Sequence, residues 1–448
     1  MLPVRSDARE LRQGLVDRGE LRGHRVTHPC VPAYDAAVAE VAFTIPVADE
    51  RRAHPAHPWM RNVVWDGVWM LSALWLVPLV VILARGSDDP STGTLDDAYC
   101  WLSAFLWLAH RVGSTWLAYG TTAYRPLVRA QPGRFVLAPA VIAVVCFGVL
   151  LPADGTLPWS RVERVMALAI LDYVCVTYHF ASQHFGVLCL YRAQTGRRDP
   201  SHHPYALVVG GVLVVVAEIV AGTVAFIDVW IDPWLDPDRV AAAAGMIAQV
   251  AMLVTAAATA GMLVLEARSA RPSLPRALYV AGLGAMVVLA FQMQMPFVFV
   301  VLWTTQHWLV ATGLTTLVAE HEPAPDGAGW RTVLHAINRR PYALLVLLVA
   351  TSVLLLPFLE VEAVGADGAH YAERIFGAFA VALRTSVWTP ALVALGFTTG
   401  FWHYWLDRAV YRFSDARVRA AACGLFREPR GGRVAPFARS ALPSSPTP

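Results

Sequence analysis

From residue 63 onward the chain alternates long apolar stretches with short polar ones. The apolar stretches fall at roughly 63–85, 97–120, 135–152, 165–191, 205–228, 241–266, 276–292, 295–319, 341–359 and 374–406, the last with room for a break. A helix rises 1.5 Å per residue, so about 20 residues cross a hydrocarbon core of about 30 Å, and each stretch is close to or beyond that length. None shows the strict alternation of a lipid-facing barrel strand. The pattern predicts an all-α polytopic membrane helix bundle of about ten transmembrane helices over residues 63–412. Residues 1–62 are polar, with nine arginines by Arg61 and no short apolar core before a small-residue cleavage site; they predict a cytoplasmic tail. Residues 413–448 predict a second cytoplasmic tail, with a disordered end from Pro436.

The loops give the orientation, because cytoplasmic loops collect arginine. Basic stretches (the N-terminal tail; Arg125, Arg129, Arg134; Arg192, Arg197, Arg198; Arg268, Arg271, Arg276; Arg331, Arg339, Arg340; the tail from Arg408) alternate with acidic or nearly neutral ones (Asp88, Asp89, Asp96, Asp97; Asp154, Glu163; Asp228, Asp232, Asp236, Asp238; the short Met293 to Pro296; Glu360, Glu362, Asp367). This predicts an even number of spans with both termini cytoplasmic, in a multi-pass protein of the cell's inner (plasma) membrane. Composition agrees: 56% of residues are hydrophobic and 15% charged, against the ~25% charge usual in soluble domains.

Two compositional facts narrow the chemistry. There is no lysine, which excludes a retinal or pyridoxal Schiff base and a P-loop ATPase. The six cysteines show no CxxC spacing, so neither a disulfide framework nor a thiolate zinc site is expected. A net charge of +3 is too small to point to nucleic acid, and no nucleic-acid partner is expected.

Ionisable residues inside a membrane are costly and mark functional sites. Here they are histidines: His110 in the second span, His179 and His184 in the fourth, His307 in the eighth and His403 in the tenth, with Asp407 four residues on. Each of these spans runs from outside to inside in the topology above, so imidazoles from four helices reach overlapping depths, as a metal site requires. His403 and Asp407, at i and i+4, share one face, as a ligand pair or a carboxylate-oriented histidine. His179 and Gln183 also share a face, whereas His184, at i+5, points about 140° away by the helical period. The expected metal ligands are His110, His179, His307, His403 and Asp407, with His184 as an alternative or a packing residue. Gln183 and Gln306 are expected as hydrogen-bond partners and Tyr178 or Tyr404 beside the substrate. The plain alternatives are histidines that hydrogen-bond between helices and an interfacial Asp407–Arg408 ion pair.

The motifs His179-x3-Gln183-x2-Gly186-x4-Tyr191, Gln306-His307 and His403-Tyr404-x2-Asp407-x3-Tyr411-Arg412 resemble a family of uncharacterised bacterial multi-pass membrane proteins with dispersed transmembrane histidines. More loosely, the scatter of histidines toward the cytoplasmic side is similar to that of membrane-bound non-haem iron oxygenases such as desaturases and hydroxylases, although the intramembrane histidines form neither an HxxxH nor an HxxHH box. This likeness implies a metal-dependent oxidoreductase, with mono- or dinuclear iron, acting on membrane lipids or another lipid-soluble substrate. No nucleotide, flavin or iron–sulfur motif is present, so a separate electron-donor protein would supply reductant. The rival expectations are a b-type haem electron-transfer protein, which needs two facing imidazoles, and a proton-coupled transporter centred on Glu218 and Asp172.

Overall fold

The computed structural model describes residues 58–85, 94–195, 202–231, 236–293, 296–325, 327, 329–360, 371–422 and 425. Most of the expected N-terminal tail, the end of the C-terminal tail, and the acidic pairs Asp88/Asp89 and Glu362/Asp367 lie outside them. Among the described residues there is no strand, and every predicted span is helical. In chain order the helices are α1 Val63–Met70, α2 Ala73–Arg85, α3 (94–120), α4 Arg125–Ala130, α5 Gly133–Leu150, α6 Arg161–Gln194, α7 His202–Ile231, α8 Pro237–Ala267 and α9 Leu274–Met293. There follow α10 Pro296–Glu320, α11 Trp330–Asn338, α12 Pro341–Leu359, α13 Tyr371–Phe376, α14 Ala378–Arg384, α15 Thr389–Val410 and α16 Ala416–Ala421.

Among the described residues, six helices are long and apolar enough to cross a membrane, or eight if each of two bent pairs counts as one span. The bent pairs are α1 with α2, at 49°, and α14 with α15, at 96°. The second bend divides the tenth predicted stretch at residues 385–388. Pro390 occupies the first turn of α15 and cannot carry a hydrogen-bonded helix through from α14. Thr389 Oγ1 donates to the Arg384 carbonyl at 2.7 Å and secures the corner.

Two histidine-bearing helices, α3 and α10, are outside the apolar set. α10 lies in the interior of the bundle, and α3 buries one face while exposing Trp101, Phe105 and Tyr119 on the other. The described side chains of α10 from Val301 to Ala319 are all buried except Thr304, and α10 packs against α1, α2, α3, α7, α9 and α12. Such a helix needs no apolar surface, which frees its sequence for polar groups. Close approach is built in by small residues: a Cβ on Gly313 would lie 2.6 Å from Trp69 Cβ, and one on Gly113 would lie 2.8 Å from Thr315 Oγ1. The Gly113 contact brings α3 to α10 within one turn of His110.

The ends are secured locally. Ser160 and Glu163 form a reciprocal capping box at the start of α6. Arg164, 1% exposed, caps the end of α5 by donating to the carbonyls of Val149 (2.8 Å) and Pro152 (2.9 Å). Between α8 and α9, Arg276 Nη1 donates to Glu266 Oε2 at 2.8 Å, and both side chains are 6% exposed. Breaking a buried pair from one side leaves an uncompensated charge, so Arg276→Met is expected to cost about 3–5 kcal/mol. The check is thermal unfolding in detergent: the double variant Glu266→Leu/Arg276→Met should recover most of the loss, and a single variant that melts like the wild type would refute the assignment.

Candidate metal centre

Four helices converge at one buried point. His110 comes from α3, His179 from α6, His307 from α10, and His403 with Asp407 from α15; all are 0–6% exposed. Ring centroids are 4.4 Å apart for His110 and His403, 5.0 Å for His110 and His307, 4.8 Å for His179 with either His307 or His403, and 6.5 Å for His307 and His403. Two overlapping triads, His110/His307/His403 and His179/His403/Asp407, have ligand atoms all within 4.8 Å of one another and could hold a metal ion. His403 belongs to both.

The atomic contacts distinguish ligation from hydrogen bonding. His179 Nε2 lies 3.1 Å from His307 Nε2, 3.2 Å from His403 Nε2 and 3.5 Å from Asp407 Oδ2. An imidazole nitrogen carries either one hydrogen or one lone pair, directed in the ring plane, and cannot serve three partners at once. Two nitrogens each about 2.0–2.1 Å from a shared ion are roughly 2.9–3.4 Å apart for angles between octahedral and tetrahedral. The observed nitrogen pairs fall in that interval. Asp407 Oδ2, although buried, has no hydrogen-bond partner among the described residues, and neither has His307 Nδ1. An orphaned carboxylate oxygen among imidazoles is expensive unless a cation meets it.

The outer groups fix the rings. His110 Nδ1 is 2.5 Å from the Trp107 carbonyl one turn earlier, which assigns the hydrogen to Nδ1 and turns Nε2 toward the other histidines. His403 Nδ1 faces Ser114 Oγ at 3.4 Å and Asp407 Oδ1 at 3.6 Å, the i,i+4 orientation that the sequence suggests. The helix bearing His110 is irregular: π turns at Ser103–Trp107 and Trp116–Gly120 flank the regular turns Leu108–Thr115. Each π turn inserts a residue and resets which face continues inward, a device frequent at functional sites.

Aromatic rings enclose the centre. Phe180 lies 4.3 Å from His307, Trp308 6.1 Å from His110, and Tyr404 5.2 Å from His179 and 5.5 Å from His403, by centroids. Just beyond His110, Arg111 stacks on Trp107 at 4.6 Å. A Cβ on Gly400, one turn before His403, would lie 3.4 Å from both Arg111 Nη2 and Asp172 Oδ1, so these two groups meet at the same flank of α15.

The other expected site residues divide. Tyr404 walls the centre, whereas Tyr178 is 58% exposed and its hydroxyl accepts from Arg408 Nη1 at 3.3 Å on the outer face. Arg408 thus turns outward and Asp407 inward, which removes the simple interfacial pair. His184 stands apart from both triads: its Nδ1 is 2.7 Å from the Tyr279 hydroxyl, as its i+5 position relative to His179 requires. Gln306 is fully buried, and its amide has no hydrogen-bond partner among the described residues. The Gln183 amide is buried without a hydrogen-bond partner among the described residues. Glu218, half-buried on α7, belongs to neither triad. Sequence reasoning missed the Trp107 carbonyl, although the i,i+3 spacing of Trp107 and His110 was in view, and it missed the Asp66 carboxylate, which accepts from the Met60 and Arg61 amides and the Tyr191 hydroxyl.

No family model, no curated protein and no solved structure matches the chain. The functional reading therefore rests on the geometry of the site.

Proposed function

We propose that the protein is a metal-dependent membrane oxidoreductase, with non-haem iron as its metal, acting on a lipid-soluble substrate in the plasma membrane. The carrying observation is the meeting of four imidazoles and one carboxylate, from four helices, at a single buried point. An all-nitrogen-and-oxygen donor set with no thiolate suits iron among the common redox metals. Bound iron would supply the redox chemistry for oxidising an unactivated substrate with dioxygen. The chain's own residues do the rest: His110, His179, His307, His403 and Asp407 hold the ion, the Trp107 carbonyl fixes the His110 tautomer, and Phe180, Trp308 and Tyr404 exclude water. The unpartnered Gln183 amide offers a hydrogen bond to a polar substituent of the substrate. Ten crossings with both termini cytoplasmic remain the favoured topology, since the burial of α10 supports a crossing by a helix of modest apolarity. Electrons would come from a separate donor protein.

Proteins that bind haem through two imidazoles place those nitrogens about 4 Å apart across the macrocycle, twice a bond of about 2 Å. The 3.1 and 3.2 Å separations here favour a bare ion. The test is anaerobic loading of the detergent-purified chain with iron(II), followed by dioxygen, a chemical reductant and a bacterial lipid extract. One lipid or isoprenoid species should gain one oxygen atom or lose two hydrogens by mass spectrometry. A strong Soret band in the purified protein, or no dioxygen-dependent mass change with iron bound, would reject the proposal.

A further inference from the structure

A second polar site lies at the end of α3 opposite its start, about 13 Å along the helix from His110 by the rise of nine residues to Tyr119. A cavity of about 270 Å³ opens there between the α3–α4 junction and α11, lined among others by Tyr119, Arg125, Arg129, Glu322, Trp330 and Arg331. Glu322 is its only acidic lining residue among the described residues, and that carboxylate is already engaged. Its Oε2 accepts from the Thr122 amide (2.7 Å) and hydroxyl (3.1 Å); its Oε1 accepts from Asn338 Nδ2 (2.8 Å) and sits 3.2 Å from His335 Nδ1. Asn338 in turn accepts from Trp116 Nε1 at 2.8 Å, so the floor of the cavity is a rigid network joining α3, α11 and the segment after α10.

Three guanidinium groups remain around this floor. Arg125 and Arg129 are one turn apart on α4, a like-charge i,i+4 arrangement that is unfavourable without an anion between them. Arg331 lines the same cavity with its guanidinium 5.5 Å from the Trp330 ring. Planar bidentate donors match phosphate. The neighbouring helix α11 exposes Trp330 (64%) and Val333 (60%), apolar groups suited to lie at the boundary of a bilayer.

We propose that this cavity binds the phosphodiester headgroup of an anionic phospholipid, with its acyl chains against the exposed apolar residues of α11. Basic pockets between spans on the arginine-rich side of a membrane protein serve such headgroups. The site is separate from the metal centre and does not depend on the oxidoreductase reading.

The experiment is native mass spectrometry of the detergent-purified full chain titrated with phosphatidylglycerol or phosphatidylcholine, alongside Arg125→Gln/Arg129→Gln/Arg331→Gln and the milder Arg129→Gln. Phosphatidylglycerol should be retained in preference to phosphatidylcholine. Retention should weaken about fivefold in the single variant and roughly 100-fold in the triple variant, at about one near-surface charge contribution per arginine. A single monodisperse gel-filtration peak and a thermal unfolding midpoint equal to wild type would show that the variants are folded. Equal retention of both lipids by wild type, or undiminished retention by the folded single and triple variants, overturns the proposal. Binding of inorganic phosphate alone, without phosphatidylglycerol, would assign the cavity to a free anion and also overturn it.

Discussion

His403→Ala is expected to lower bound metal from about one ion per chain to below about one tenth, because loss of a direct ligand exceeds the 10–100-fold cost of losing even an outer partner. His403 is the most damaging position, being shared by both triads. The alanine variant also leaves the carboxyl of Asp407 without its neighbour 3.6 Å away. His110→Ala, His179→Ala and His307→Ala should each lose metal as well, whereas His184→Ala, whose partner is Tyr279, should keep it. Elemental analysis of detergent-purified, monodisperse protein makes the comparison, and His184 controls for the general effect of deleting a buried imidazole. Equal metal content in all five variants would mean that the histidines merely hydrogen-bond between helices.

The helices were readable because their cause is local. Each apolar run is long enough to satisfy its backbone only as a helix in lipid. The face assignments were readable for the same reason: the 3.6 period alone separates His184 from His179 and joins His403 to Asp407. Room for a break in the last apolar stretch was readable too; what lay beyond local rules was its place at 385–388 and its 96° angle, where Pro390 and the Thr389 hydroxyl stop one helix and start another. The π turns on either side of His110 were equally hidden, since they leave no mark on composition. The convergence itself depends on contacts such as Gly113 with Thr315, which bring α3 against α10 from 202 positions away in sequence (315 − 113). What the apolar run of α10 did not reveal is its place: surrounded by protein, it carries Thr305, Gln306, His307, Thr312, Thr315 and Thr316, all buried.

Asp407→Asn separates the two roles a buried carboxylate could play here. The substitution keeps shape and volume and removes the one negative charge among the donors of the two triads. Without metal, wild type holds Asp407 Oδ2 buried and without a hydrogen bond, a condition that costs about 1–3 kcal/mol. The asparagine amide can donate to His179 Nε2 from that position, 3.5 Å away in the wild type, so the metal-free variant should melt at or above the metal-free wild type. With metal present the order should reverse. A divalent ion ringed only by neutral imidazoles lacks charge compensation in an apolar interior, and its affinity should fall by about 100-fold or more. At metal concentrations near 100 times the wild-type dissociation constant, wild type gains about 2.7 kcal/mol from binding and the variant only a few tenths. Thermal unfolding with and without iron(II) or zinc therefore gives crossing stabilities if Asp407 is a ligand. A variant that is destabilised by the same amount in both conditions would show instead that the carboxylate serves packing alone, and the metal would then be held by imidazoles without it.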